Sequence, residues 1–338
     1  MAWQRIKGHD PIRDRFVTAY ERGRLGHAYL FVGPMGVGKK FFATELAKAM
    51  LCEASPSPLT ACDRCAACLL VDADTHPDCL TARKPDDKME LPIDVIRELC
   101  VSFGRKPSRG MRKIAIVQDA DDFNEESANA FLKTLEEPPS GSLILLLATS
   151  DEMQLSTIRS RCQIVQFPPL SNDTIRSILA DRGIVVTKTV ARLTRLAQGS
   201  IGQALAMNDE ALWQFRSSLI AMLTSPKPNG HELATQWIAL LEAAGKESAK
   251  QRQRASLSIK LCAELLSQIL RLSEGLPADG IDEDMLEKCQ HFATRLGSDA
   301  ILERIEKCME ADRQVERSVQ LVLAIEALVD PLTMFDSM

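Results

Sequence analysis

The segment Gly33-Pro34-Met35-Gly36-Val37-Gly38-Lys39-Lys40 constrains this chain most, because it stands between an apolar run, Ala28 to Val32, and a helical run, Phe41 to Leu51. Strand, glycine-rich turn, helix is the order that a phosphate-binding loop requires. Glycines let the backbone curl so that successive N–H groups and the amino end of the following helix converge on an anion. Lys39 is then placed to reach the outer phosphates. Gly33, Gly36, Gly38 and Lys39 are accordingly the candidate nucleotide-binding residues. Such a loop belongs to a parallel sheet with crossover helices. Three further runs have the aliphatic and β-branched content of strands: Lys113 to Val117, Leu143 to Ala148 and Gln163 to Phe167. Pro168 and Pro169 end the last of them and mark a domain boundary.

The loop lacks its usual metal chemistry. A working loop ends in Ser or Thr, whose hydroxyl coordinates the magnesium that bridges the outer phosphates. Lys40 stands there, a cation in place of a cation's ligand. The second ligand is normally an acidic residue ending a buried strand, but Ile114-Ala115-Ile116-Val117 runs into the uncharged Gln118. Side chains alternate along a strand, so Asp119 does not inherit the place of Gln118 without a slip or bulge. With both ligands gone, Mg2+ is not expected to be held, and the chain is not expected to hydrolyse ATP by itself. The backbone cradle and Lys39 survive, which leaves binding of ATP or ADP open.

Cys52, Cys62, Cys65 and Cys68 form C-x9-C-x2-C-x2-C between the helix after the loop and the next strand. Four thiolates close a tetrahedral shell, and two-residue gaps let neighbouring thiolates turn toward one ion. A closed four-sulfur shell leaves no position for water or substrate, so the expected metal is a structural Zn2+. Cys79 is a possible substitute ligand, whereas Cys100, Cys262, Cys289 and Cys308 lie in helical patterns and read as small buried residues.

With 338 residues, the chain is long enough for two or three packed domains. It has 5% aromatic residues, which favours aliphatic helix packing, and a net charge of -5 with a pI near 5.7, which argues against coating nucleic acid by overall charge. The basic stretch Arg105 to Lys113 reads as a solvated loop. No apolar run is long enough to span a membrane, and MAWQRIKGHD has no apolar stretch fit for a secretory signal, so a cytoplasmic protein is expected. Ser171 to about Asp209 reads as three short helices. Beyond it, apolar residues recur at spacings of three and four over 211–223, 231–244, 250–273, 283–295, 298–311 and 314–330. The division is then 1–170, an α/β phosphate-loop domain with a metal insert at 52–68; 171–209, a helical lid; and 210–338, an all-α domain.

Several motifs carry a family resemblance: HAYLFVGPMGVGKK, the four-cysteine insert, THPD at Thr75 to Asp78, SANAFLKTLEEPP at Ser127 to Pro139, LLLATS at Leu145 to Ser150 and SRC at Ser160 to Cys162. Together they closely resemble bacterial DNA polymerase III clamp-loader subunits of the AAA+ class, over roughly residues 5 to 205. That family contains ATP-hydrolysing motor subunits, gamma or tau, and a delta-prime branch. Motor loops end in Lys-Thr or Lys-Ser and their second strand ends in Asp-Glu, against Lys39-Lys40 and Gln118-Asp119 here. The motor's sensor arginine corresponds to Gly202. These departures favour the delta-prime branch.

By the same resemblance, Arg161 is an arginine finger offered to the ATP site of an adjacent motor subunit, with Arg159 as its nearby competitor. A permanent charge on a planar fork suits phosphate oxygens. The resemblance also implies a C-terminal helical collar that joins gamma/tau and delta subunits in a hetero-oligomer, which loads the sliding clamp on primed DNA. Glu136 and Glu137 read as a solvated or interface helix end. An ATP-hydrolysing gamma/tau-type motor is the alternative reading, and a zinc-binding DNA adaptor outside the loader is a third.

Overall fold

The computed structural model describes residues 2–85, 88–278, 280–316 and 319–334. The chain divides into two compact units, Met1–Leu205 and Ala206–Met338. In the first, β1 (Ala28–Val32), β2 (Cys79–Ala82), β3 (Ile114–Val117), β4 (Leu143–Ala148) and β5 (Gln163–Gln166) form one parallel sheet in the order β2-β3-β4-β1-β5. Every residue of β1, β3 and β4 is buried, which is why these strands read as unbroken apolar runs. The chain leaves β1 for the far edge and returns strand by strand, and then places β5 on the other flank of β1. The carboxyl end of β1 is therefore the point where the winding reverses, the usual location of a ligand crevice in an open α/β sheet.

Alternation along β1 divides two cores. Ala28, Leu30 and Val32 belong to an aliphatic cluster with Ile144, Leu146, Ala115, Val117, Phe103 and Phe131. Phe31 points the other way, with ring centroids 5.8 Å from Phe16, 5.8 Å from Phe42 and 4.9 Å from Phe167. Rings are scarce in this chain, yet several collect directly beneath the phosphate loop. Truncating one such ring to Ala costs about 3–5 kcal/mol, so this cluster fixes the loop's floor.

The helices of this unit are α1 (Asp10–Glu21), α2 (Lys39–Leu51), α3 (Ala66–Asp72), α4 (Ile93–Phe103), α5 (Glu125–Glu136), α6 (Ser156–Arg159), α7 (Asn172–Asp181) and α8 (Thr187–Ala197), with α9 (Ile201–Ala206) at its end. A reciprocal capping box starts α5: the Asn124 side chain accepts from Ser127 N–H, and the Ser127 hydroxyl accepts from Asn124 N–H. The double proline at 138–139 follows its end.

The second unit contains α10 (Glu210–Leu223), α11 (Gly230–Glu242), α12 (Ser248–Ser273), α13 (Glu283–Leu296), α14 (Ser298–Glu316) and α15 (Leu321–Thr333). These follow the periodic stretches closely. The expected helix 314–330 crosses residues 317 and 318, which lie outside the described residues; α14 ends before them and α15 begins after them. In α12, Cys262, Leu265, Leu266 and Ile269 are buried. Trp237 of α11 is also fully buried, and its indole N–H donates to Ser258 Oγ of α12 at 2.7 Å. Among the described residues, no helix is long and apolar enough to cross a membrane.

Candidate functional site: a phosphate loop, four thiols and Arg161

The loop follows β1 as the sequence requires. Gly36 and Gly38 have φ of 74° and 113°, left-handed values that glycine alone adopts readily, and Gly38 starts α2. Lys39 is buried, and its ammonium turns back on its own loop, donating to the carbonyls of Gly33 and, at 2.9 Å, of Pro34. Burial lowers Lys39 to about 8, against a smaller opposing pull from Asp121. His9 packs edge-on against Phe167, its Nε2 lies 3.0 Å from the Val37 carbonyl, and burial lowers its pKa.

Lys40 and Gln118 line one small cavity of about 150 Å³, together with Thr44, Asp72, Asp74 and Thr81. The two positions that depart from a magnesium site thus border the same space. Asp119 does not join them: its carboxylate accepts the Lys84 backbone N–H at 2.9 Å. Strand alternation dictates this outcome. Asp121, which the sequence reading did not single out, accepts from Thr149 N–H at 2.6 Å and from Gln154 Nε2 at 2.8 Å.

The start of α9 lies directly on the loop. Gly202 N–H donates to the Gly36 carbonyl at 2.9 Å. A Cβ on Gly202 would stand 2.8 Å from the Gly36 Cα, and one on Gly36 would stand 2.4 Å from Ser200 Oγ. Position 202 is therefore a place where any side chain would strike backbone.

The four cysteines converge. Their sulfurs all lie within 4.8 Å of one another, with Cys52 Sγ to Cys65 Sγ at 3.9 Å and Cys62 Sγ to Cys68 Sγ at 4.0 Å. A tetrahedral zinc with Zn–S bonds of about 2.3 Å has sulfur–sulfur edges of roughly 3.8 Å. The thiols fit that ion. The Cys65 backbone N–H donates to Cys62 Sγ and the Cys62 N–H to Cys52 Sγ, each at 3.3 Å, so thiolates have donors waiting. Cys62 is lowered to about 6, chiefly by backbone N–H groups. Cys79 is paired in β2 opposite Ile114 and lines the cavity beside Lys40, apart from the four-sulfur cluster. Cys262, Cys289 and Cys308 are buried and Cys100 half-buried.

Arg161 lies between α6 and β5. Its Nε donates to Glu136 Oε1 at 2.8 Å, its Nη2 donates to the same oxygen, and its Nη1 donates to the Thr157 carbonyl at 2.9 Å. Arg159 pairs instead with Asp151 at 3.1 Å. The end of α5, legible in sequence only as charged, supplies the carboxylate that holds Arg161. Register also places Arg161 at the wrong end of the sheet to serve its own loop. Gln163 pairs with Tyr29, so Arg161 is level with residue 27, and six residues at roughly 3.3 Å each put the phosphate loop about 20 Å away.

The basic stretch is a held loop. Asp78, fully buried, accepts the N–H groups of Ser108 and Arg109 at 2.7 Å each, and Arg112 lies over the Tyr20 ring at 5.3 Å.

The family model described as "DNA polymerase III, delta subunit" matches residues 8–171. DNA polymerase III subunit delta' of Escherichia coli is 32% identical over 242 residues, covering 72% of this chain and 71% of that protein. The chain belongs to the DNA polymerase III delta' family. Subunit delta' of Bacillus subtilis is 26% identical over 97% of this chain and 98% of its own length. Subunit tau of Escherichia coli is 32% identical, but over 61% of this chain and 32% of tau. The match to tau thus covers less of this chain than the matches to these two delta' subunits, and the Bacillus subtilis match runs nearly end to end. The resemblance to DNA polymerase III clamp-loader subunits is thereby confirmed, and so is the α/β parallel-sheet fold with a helical C-terminal region.

Proposed function

We propose that this clamp-loader subunit does not hydrolyse ATP and instead offers Arg161 to the ATP site of a neighbouring gamma/tau subunit. The observation that carries this reading is the separation just described. Arg161 stands at the amino edge of the sheet, about 20 Å by strand rise from the chain's own phosphate loop, so a phosphate it meets belongs to another chain. Arginine fingers supplied in trans are worth about 10³ to 10⁵ in rate at the site they complete. Glu136 neutralises the guanidinium until a more highly charged triphosphate arrives to exchange with it. The pairing of Lys40 with Gln118 in one cavity supports the absence of a magnesium site here.

In this reading, residues 1–170 and the lid at 171–209 present Arg161. Residues 210–338 form the collar that joins gamma/tau and delta subunits around the sliding clamp and primed DNA. Cys52, Cys62, Cys65 and Cys68 hold a Zn2+ that cross-links the insert and has no coordination position left for chemistry.

The test is reconstitution with gamma/tau and delta subunits carrying wild-type chain or Arg161→Ala. The substitution should depress DNA-stimulated ATP hydrolysis while zinc content and assembly stay intact; undiminished hydrolysis would remove the proposed role. Sustained magnesium-dependent phosphate release by the purified wild-type chain alone would favour the motor reading.

A further inference from the structure

Lys48 is the least expected charge in the first unit. It lies on α2, three turns beyond the phosphate loop, and its side chain is 0% exposed although nothing in phosphate binding calls on it. Its ammonium lies 2.9 Å from Asp63, 3.0 Å from Asp72 and 3.0 Å from Glu45. Arg5 also reaches Glu45, at 3.2 Å.

Withdrawing an ammonium from water costs several kcal/mol. Apolar residues in place of a whole buried ion cluster often serve stability as well or better. What an apolar residue cannot do is hold a carboxylate in a chosen place. One of the three carboxylates is in a telling position: Asp63 directly follows Cys62 in the Cys62-x-x-Cys65 turn and has φ of 60°, a left-handed backbone unusual for a residue with a side chain. The other two, Glu45 and Asp72, belong to the rigid helices α2 and α3.

We propose that Lys48 is a positioning residue for the zinc site: through Asp63 it fixes the turn between Cys62 and Cys65 against α2 and α3, so that the thiols are gathered before the ion arrives. Residues that orient metal ligands from outside typically contribute about 10- to 100-fold to affinity. The inference rests on the reading that the four cysteines hold zinc, and its test separates the two.

The full chain is purified as wild type, Lys48→Met, Asp63→Asn and the double variant. Zinc content is measured by elemental analysis and zinc affinity by competition with a chromogenic chelator. Cobalt(II) substitution reports the ligand set. The wild type should retain about one zinc per chain, as one closed shell of four thiolates requires; wild-type protein without zinc would reject the zinc reading, and this proposal with it. Given a zinc-bound wild type, Lys48→Met should lower zinc affinity about 10- to 100-fold, yet show the same four-thiolate cobalt spectrum at saturation. Asp63→Asn tolerates the left-handed turn while removing the charge, and should weaken zinc in the same direction by less. The double variant should be no worse than Lys48→Met, because both act through one contact. Wild-type affinity in Lys48→Met, with only lower thermal stability, would overturn the proposal. Should Lys48→Met not fold, unchanged affinity in Asp63→Asn would overturn it equally.

Discussion

His9 and His76 illustrate how single buried side chains tie this fold to pH. Both are almost wholly buried, and burial, which disfavours the imidazolium, lowers each below the ordinary 6.5. His76 is held neutral further by accepting the Asp78 backbone N–H on Nδ1 at 3.0 Å. In the unfolded chain each imidazole takes up a proton near 6.5; in the folded chain it resists until lower pH. The unfolded state therefore binds more protons in that window, and stability falls as pH drops through 6.5 toward the depressed values. Urea denaturation between pH 7.5 and pH 5 should show this loss, and His9→Gln should flatten part of the slope. A stability that rises on acidification would contradict the burial argument. His76 stands in the THPD motif and His9 in no motif, yet the burial of neither was legible, because nothing in the neighbouring residues announces that the ring will be enclosed.

At the scale of elements, the zinc proposed for the insert between α2 and β2 can be tested by removing it. Chelating the ion should make four additional thiols reactive toward an alkylating reagent, those of Cys52, Cys62, Cys65 and Cys68, and should open the insert to proteolysis. The count by mass spectrometry checks it: no extra labelling, or labelling of Cys262 and Cys308, would point to a different origin of order. The cysteine spacing made this element legible in advance. The six helices of the second unit were equally legible, since an amphipathic period persists over three or more turns. The strand β2 escaped notice because Cys79–Ala82 has only one buried residue in four and lies at the sheet's edge. The partner of Arg161 escaped it for another reason: Glu136 meets Arg161 only after α5, β4 and α6 have folded, and no local pattern encodes that meeting.

Taken whole, the chain is two units with separate cores, and perturbations of one should be readable against the other. Gly202→Ala places a methyl 2.8 Å from the Gly36 Cα, and overpacking of that kind costs about 1–3 kcal/mol. Denaturation followed by hydrogen exchange should show the loss in amides of residues 1–205, with protection in α12 and α14 unchanged; a uniform loss across both units would argue against a local clash. That contact of glycine on glycine also separates two kinds of change. Placing a hydroxyl at position 40 and a carboxylate at 118 takes two substitutions beside an existing cavity. An arginine at 202 has nowhere to stand until α9 itself is displaced. Positions 40 and 118 can thus be changed one side chain at a time, whereas any side chain at 202 demands a rearranged backbone where α9 meets the loop.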